Sequence, residues 1–211
     1  MKNKKVLAVM LVVCLLLIDQ IIKIAVKTHM TLGQSIEIFD WFRIVFVENP
    51  GMAFGMTLGK KWILTTFRIL VSVGVAYYLA KLVRLNYKTS YIIVISMVFA
   101  GAVGNIIDCV FYGKIFSESN LFEVATLFPA DGGYAPLMLG RVVDMFYFPL
   151  FVFPEWVPLL GGEIFFSPIF NFADVCITVS MFLLILFFRK ELNESLELCF
   201  PRLWKKDEKN K

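Results

Sequence analysis

Asp144 and Asp174 are the residues whose type and setting best fit chemistry. Asp144 ends the run Gly140-Arg141-Val142-Val143-Asp144, just outside the last hydrophobic stretch, and Asp174 closes Phe170-Asn171-Phe172-Ala173-Asp174, about two turns inside it. A carboxylate in a membrane helix is costly unless it is paired or wetted, so it marks a functional site by default. Two close carboxylates cannot both ionise cheaply. They share a proton, and one can polarise a carbonyl while the other activates water. Rival hydrolytic schemes lack their residues: there is no G-x-S-x-G, no H-E-x-x-H, and the sole histidine, His29, falls in a loop. No nucleotide or nucleic-acid motif is present.

Other polar residues gather at the same depth. At about 1.5 Å per helical residue, Asp19 lies roughly 20 Å along the first span, with Lys23 one turn higher. Arg68 lies roughly 9 Å below the outer edge of the second span. Asn105 and Asp108 occupy the last turns of the third span, and Asn171 and Asp174 the first turns of the fourth. The i, i+4 and i, i+3 spacings put each pair on one helix face. Each residue also has a plainer reading. Asp19 and Lys23 fit an ion pair that lowers the cost of insertion, Arg68 a snorkelling cation, and Asn105 and Asn171 interhelical hydrogen bonds. Convergence of all of them on the outer third of the bilayer favours chemistry. A proton or ion conductor would string its acids across the whole span.

The elements that must position these groups are membrane helices. The 211 residues are 59% hydrophobic, and the mean hydropathy of +0.75 lies well above that of a soluble domain. Four stretches can cross a bilayer, near 6–26, 62–82, 91–112 and 167–188. The expected fold class is therefore an all-α membrane protein, a single domain of four transmembrane helices. A small extracytoplasmic β-sheet and an interfacial amphipathic helix or loop complete it. Lys2-Asn3-Lys4-Lys5 before an apolar run imitates a signal peptide, but no small-x-small site follows and the helical pattern continues, so it reads as a retained first span. Cys14, Cys109, Cys176 and Cys199 have no metal-binding spacing and read as packing residues.

Lysine and arginine crowd the N-terminus, the link after the second span and the tail 189–211, whereas the 113–166 connection is acidic. Both termini are thus expected in the cytoplasm, with outer loops at 28–60 and 113–166. The first loop alternates in places and predicts two to four short strands, ending in Glu48-Asn49-Pro50-Gly51-Met52-Ala53-Phe54-Gly55. In the second, Asn120-Leu121-Phe122-Glu123 predicts a capped amphipathic helix ending before Pro129, and Phe146 to Trp156 an interfacial aromatic belt.

Five blocks, taken in order, resemble the motifs of the lipoprotein signal peptidase (signal peptidase II) family: Asp19-Gln20-x-x-Lys23, Glu48 to Gly55, Gly104-Asn105-x-x-Asp108, Val142-Val143-Asp144 and Asn171-x-Ala173-Asp174. The resemblance implies an intramembrane aspartyl endopeptidase of the bacterial cytoplasmic membrane that needs no cofactor or metal. It would cut prolipoproteins before a diacylglyceryl-modified cysteine, with membrane lipid around it and no obligatory protein partner. Asp144 and Asp174 would be the catalytic pair. Asp19, Lys23, Asn49, Gly51, Ala53, Gly55, Arg68, Asn105, Asp108, Arg141 and Asn171 would shape the site or hold substrate. Two departures stand out: Cys109 replaces the arginine that usually follows the third-block aspartate, and Tyr112 to Arg141 is longer than the family's link. A proton-coupled transporter or a non-proteolytic lipoprotein chaperone is the alternative.

Overall fold

One helix, α3, carries the others. In the computed structural model, residues 2–50 and 61–201 are described. Helices α1 (Lys2–His29), α2 (Lys61–Arg84) and α3 (Thr89–Ile107) are each long and apolar enough to cross a membrane. Their large apolar side chains point outward, as at Met10, Ile21, Leu70 and Val73, the reverse of a soluble bundle.

Helix α3 runs on through a π-helical turn (Asp108–Tyr112) into a last short turn, α4 (Gly113–Ile115). Carbonyls in the π turn take partners from the long link that follows. Gly140 N donates to Cys109 O at 2.8 Å and Met138 N to Val110 O at 3.1 Å. The link therefore folds back on the end of α3.

Strands β1 (Ser35–Phe39), β2 (Phe42–Asn49) and β3 (Val142–Tyr147) form one antiparallel sheet in the order β1-β2-β3. Its register sets Val47 opposite Asp144 and Glu48 opposite Val143. A second hairpin pairs β4 (Phe151–Val152) with β5 (Ile164–Phe165). One core, built on Phe46, Tyr112, Phe116, Val143 and Met145, lies under the larger sheet. The other, built on Leu82, Tyr91, Ile92 and Leu184, closes the opposite end.

Two expectations need correction. The fourth span, predicted over 167–188, starts at Phe172 as α5 (Phe172–Phe187), because Asn171 caps it. The tail then bends by 97° into α6 (Arg189–Cys199), and only the bent pair together reaches spanning length. Helix α6 buries Ser195 and Cys199 against α2 and α3. The amphipathic helix predicted from Asn120 does not form. Its cap does: Asn120 Oδ1 accepts from Phe122 N and Glu123 N, both at 2.8 Å. Beyond the cap, however, the backbone bonds back to the preceding segment, with Ser117 N donating to Thr126 O at 3.0 Å and Phe128 N to Ile115 O at 2.7 Å. Those long-range partners outcompete a helix only a turn or two long before Pro129. Leu121, Phe122 and Phe128 remain exposed on the resulting loop.

Candidate active site

Asn171 organises the site, because it ends one segment and starts the next. Its backbone is extended, and its Oδ1 accepts from Asp174 N at 3.0 Å while Asp174 Oδ2 accepts from Asn171 N at 3.3 Å. This capping box places a carboxylate at the positive end of α5 and fixes its rotamer. The two hydrogens on Asn171 Nδ2 go elsewhere, to Asp144 Oδ1 at 2.6 Å and Asn105 Oδ1 at 3.1 Å. Asn105 Nδ2 returns to Asp174 Oδ1 at 2.8 Å. Two asparagines thus join the strand carboxyl to the helix carboxyl.

Asp144 is buried on β3. Burial pushes its carboxyl up to about 6. The Asn171 bond and a bond from Asn49 oppose that shift, and the charge of Asp174 adds to it. Burial and the neighbouring Asp174 charge both favour the protonated form of Asp144.

Behind the pair lies a second layer. Lys23 is fully buried, with Nζ 3.1 Å from Asp19 Oδ2, 2.8 Å from Asp108 Oδ2 and 2.9 Å from Asn105 Oδ1. Each of these acids also grips backbone. Asp108 Oδ2 accepts from Val143 N at 3.2 Å, the residue before Asp144. Asp19 Oδ1 accepts from Ala173 N at 2.9 Å, the residue before Asp174. Lys23 therefore ties together the two anchors that set the two carboxyls. Gln20 and Tyr112 complete the layer: Gln20 Nε2 donates to Asp108 Oδ1 at 3.1 Å, and Tyr112 OH to Gln20 Oε1 at 3.1 Å. Close approach of α3 to α5 depends on glycine. A Cβ on Gly104 would stand 2.7 Å from Asp19 Oδ2, and one on Gly101 would stand 2.5 Å from Ala173 O.

Asp144, Asp174, Asn171, Asn105, Asp19, Lys23, Asp108 and Asn49 thus come together. Arg68 reaches across from α2, where its Nη1 donates to Cys109 Sγ in the π-helical turn at 3.3 Å, and it shares a cavity of about 280 Å³ with Asn105 and Ser72. Arg141 belongs to a separate network, bonded to Glu48 Oε2 at 3.0 Å and Glu118 Oε1 at 2.8 Å. Gly51, Ala53 and Gly55 lie outside the described residues. Among the described residues no three His, Cys, Asp or Glu side chains gather as a metal site.

Sequence reasoning missed the partners of Arg141. Buried Lys27 pairs with Glu48 and donates to Ser119 Oγ at 2.7 Å, and Ser119 Oγ donates to Glu48 Oε1 at 3.0 Å. The one available signal was that Lys27 follows Lys23 by four residues on one helix face. On the far side of Asp174 a cavity of about 780 Å³ is walled by Phe42, Phe148, Phe166, Phe170 and Val179.

Comparison with known proteins places this geometry in context. The family profile described as signal peptidase (SPase) II matches residues 11–189. A lipoprotein signal peptidase of Porphyromonas gingivalis is 52% identical over 197 residues, covering 91% of this chain and 81% of the relative. One from Amoebophilus asiaticus is 32% identical over 190 residues, covering 85% and 76%. A bacterial membrane enzyme solved by the in meso method at 1.9 Å resolution superposes with a TM-score of 0.53 at 26% identity, covering 84% of this chain and 89% of that one.

Proposed function

This chain belongs to the signal peptidase II family, and from that premise we propose an aspartyl mechanism carried by Asp144 and Asp174. The family's work is removal of signal peptides from prolipoproteins, so the chain is a membrane-bound peptidase. The bond cut lies before a diacylglyceryl-modified cysteine. One observation carries the proposal: a strand carboxyl and a helix carboxyl, distant in sequence, are joined through Asn171 and Asn105, with Asp144 and Asn171 buried.

The chemistry follows from the two environments. Asp144, whose protonated form is favoured by burial, acts as the acid. It donates its proton to the scissile carbonyl oxygen while Asp174 takes one from the attacking water. Collapse of the tetrahedral intermediate breaks the C–N bond. The amide nitrogen leaves as the amine of the lipidated cysteine after accepting the proton that Asp174 took, while Asp144 takes back a proton from a hydroxyl of the intermediate, so the signal peptide departs as a carboxylic acid and the pair returns to its starting state. Asn105 and the N-terminus of α5 hold Asp174 in place throughout. Asp19, Lys23 and Asp108 fix the backbone on either side of the pair.

The aromatic cavity beside Asp174 supports a lipidated substrate, since its walls suit an acyl chain and a carboxyl lies at its edge. A single domain with four spans fits the apolar helices, the fourth being the bent α5–α6 pair. Both termini in the cytoplasm and the carboxyls toward the outer leaflet fit the lysine and arginine distribution. Such a depth is where a diacylated cysteine anchors. The test is a purified assay in which lipidated and unlipidated forms of one prolipoprotein compete. Discrete cleavage of only the lipidated form is expected, and equal cleavage of both would remove the acyl-chain role of the cavity.

A further inference from the structure

At the end of the bundle away from the carboxyls, an apolar groove of about 460 Å³ opens between α1 and α2. Phe99 of α3 forms its floor, Val12 lines one wall, and Ala76 and Ala80 line the other. It exists because α1 and α2 each pack on α3 and meet one another far less. The two alanines, four residues apart on one face, also leave the α2 wall low. From Lys5 to Val13 the groove runs roughly 12 Å, most of one leaflet's hydrocarbon depth.

Exposed Lys5 and Arg84 also line this groove, one from each helix. Cations at span ends are common, but among the described residues several at this end are already engaged. Lys4 Nζ donates to Asn86 O at 3.2 Å and Tyr87 O at 2.6 Å, Lys81 Nζ to Cys199 O at 3.0 Å, and Lys88 Nζ to Glu191 at 2.5 Å. Lys5 and Arg84 have no ion-pair partner among the described residues. The occupant that fits must be apolar along one leaflet and negative at its head.

The geometry points to this groove as a seat for one anionic glycerophospholipid, its phosphate between Lys5 and Arg84 and an acyl chain along Ala76, Ala80 and Val12. Nothing in this assignment depends on the carboxylate pair, so the two stand or fall separately.

The test is native mass spectrometry of the detergent-purified protein titrated with phosphatidylglycerol and, separately, phosphatidylcholine. Wild type should hold one phosphatidylglycerol more tightly than any phosphatidylcholine. The double variant Lys5→Gln/Arg84→Gln should weaken that binding about tenfold or more. Ala80→Trp, which fills the groove and keeps both charges, should weaken it as well. Lys190→Gln, which removes a cation from the neighbouring α6, should leave it unchanged. Cleavage activity retained by all three variants shows that they are folded. Equal retention of the two lipids by wild type, or wild-type retention in either groove variant, overturns the assignment. So does an equal loss in Lys190→Gln, which would mark general surface attraction.

Discussion

Asn171 donates to Asp144 at 2.6 Å while it caps the helix that carries Asp174. One side chain thus does two separable jobs. Asn171→Ala removes both, and loss of the cap alone should cost about 1 kcal/mol. Asn171→Ser keeps a capping oxygen but cannot reach Asp144 with an amide. Thermal unfolding should show the Ser variant near wild type and the Ala variant lower, whereas turnover should be low in both. Full turnover in Asn171→Ser would show that the bridge to Asp144 is dispensable.

Lys23 lies between two buried acids that grip Val143 N and Ala173 N. Lys23→Met leaves both carboxylates buried without a cation, and removing one partner of such a pair typically costs about 3–5 kcal/mol. Lys23→Met/Asp108→Asn should recover part of that loss, because one stranded charge is gone. Additive losses in a denaturation series would argue that Asp108 and Lys23 do not communicate.

Burial raises Asp144 from 3.8 to about 6, which fixes the sign of a pH effect. The folded protein holds this proton more tightly than the unfolded chain. Below about pH 4 both states are protonated and Asp144 makes stability no more dependent on pH. As pH rises from 4 through 6 the unfolded chain releases its proton first, so stability falls and then levels off, by a total on the order of 3 kcal/mol. Asp144→Asn should therefore be more stable than wild type at pH 8 and similar at pH 4. Unfolding midpoints that differ by the same amount at both pH values would contradict the burial of Asp144.

Gly104 and Gly74 offer a matched pair on two helices. A Cβ at Gly104 meets Asp19 Oδ2 at 2.7 Å and Ala173 Cβ at 3.1 Å, whereas one at Gly74 meets nothing within 4 Å. Gly104→Ala should cost about 1–3 kcal/mol and reduce turnover, because Asp19 loses its hold on Ala173 N. Gly74→Ala should raise stability by about 0.5–1 kcal/mol and leave activity alone. If the two alanines behave alike, α3 does not approach α5 as closely as described.

Much of the site was legible in the sequence because its members sit on helices with fixed periodicity. Asp19 and Lys23 are four apart and Asn105 and Asp108 three apart, so each pair shares a helix face. The long-range joins were not legible. Nothing local tells that Asp108 reaches Val143, or that Lys27 finds Glu48 and Ser119. Such pairings depend on how the 113–141 link folds back, and that is decided by carbonyls freed in the π turn. The Asn120 cap shows the limit from the other side. Its local signal was read correctly and its cap forms, but backbone partners at Ile115 and Ser117 override the helix that a cap normally starts. Helix α6 was hidden for a related reason, since its buried face exists only against α2 and α3.

The central claim is that Asp144 and Asp174 work as one proton-sharing unit. Its most direct test is turnover of a lipidated prolipoprotein by Asp144→Asn, Asp174→Asn and the double variant, with substrate binding measured in parallel. The isosteric amides preserve size and much of the hydrogen bonding, so binding should persist. Each single variant should lose about a thousandfold or more in turnover, and the double should be little worse, because residues that act together are grossly non-additive. Substantial turnover in either single variant, or losses that simply multiply in the double, would contradict the paired mechanism and redirect attention to Asp19 and Asp108.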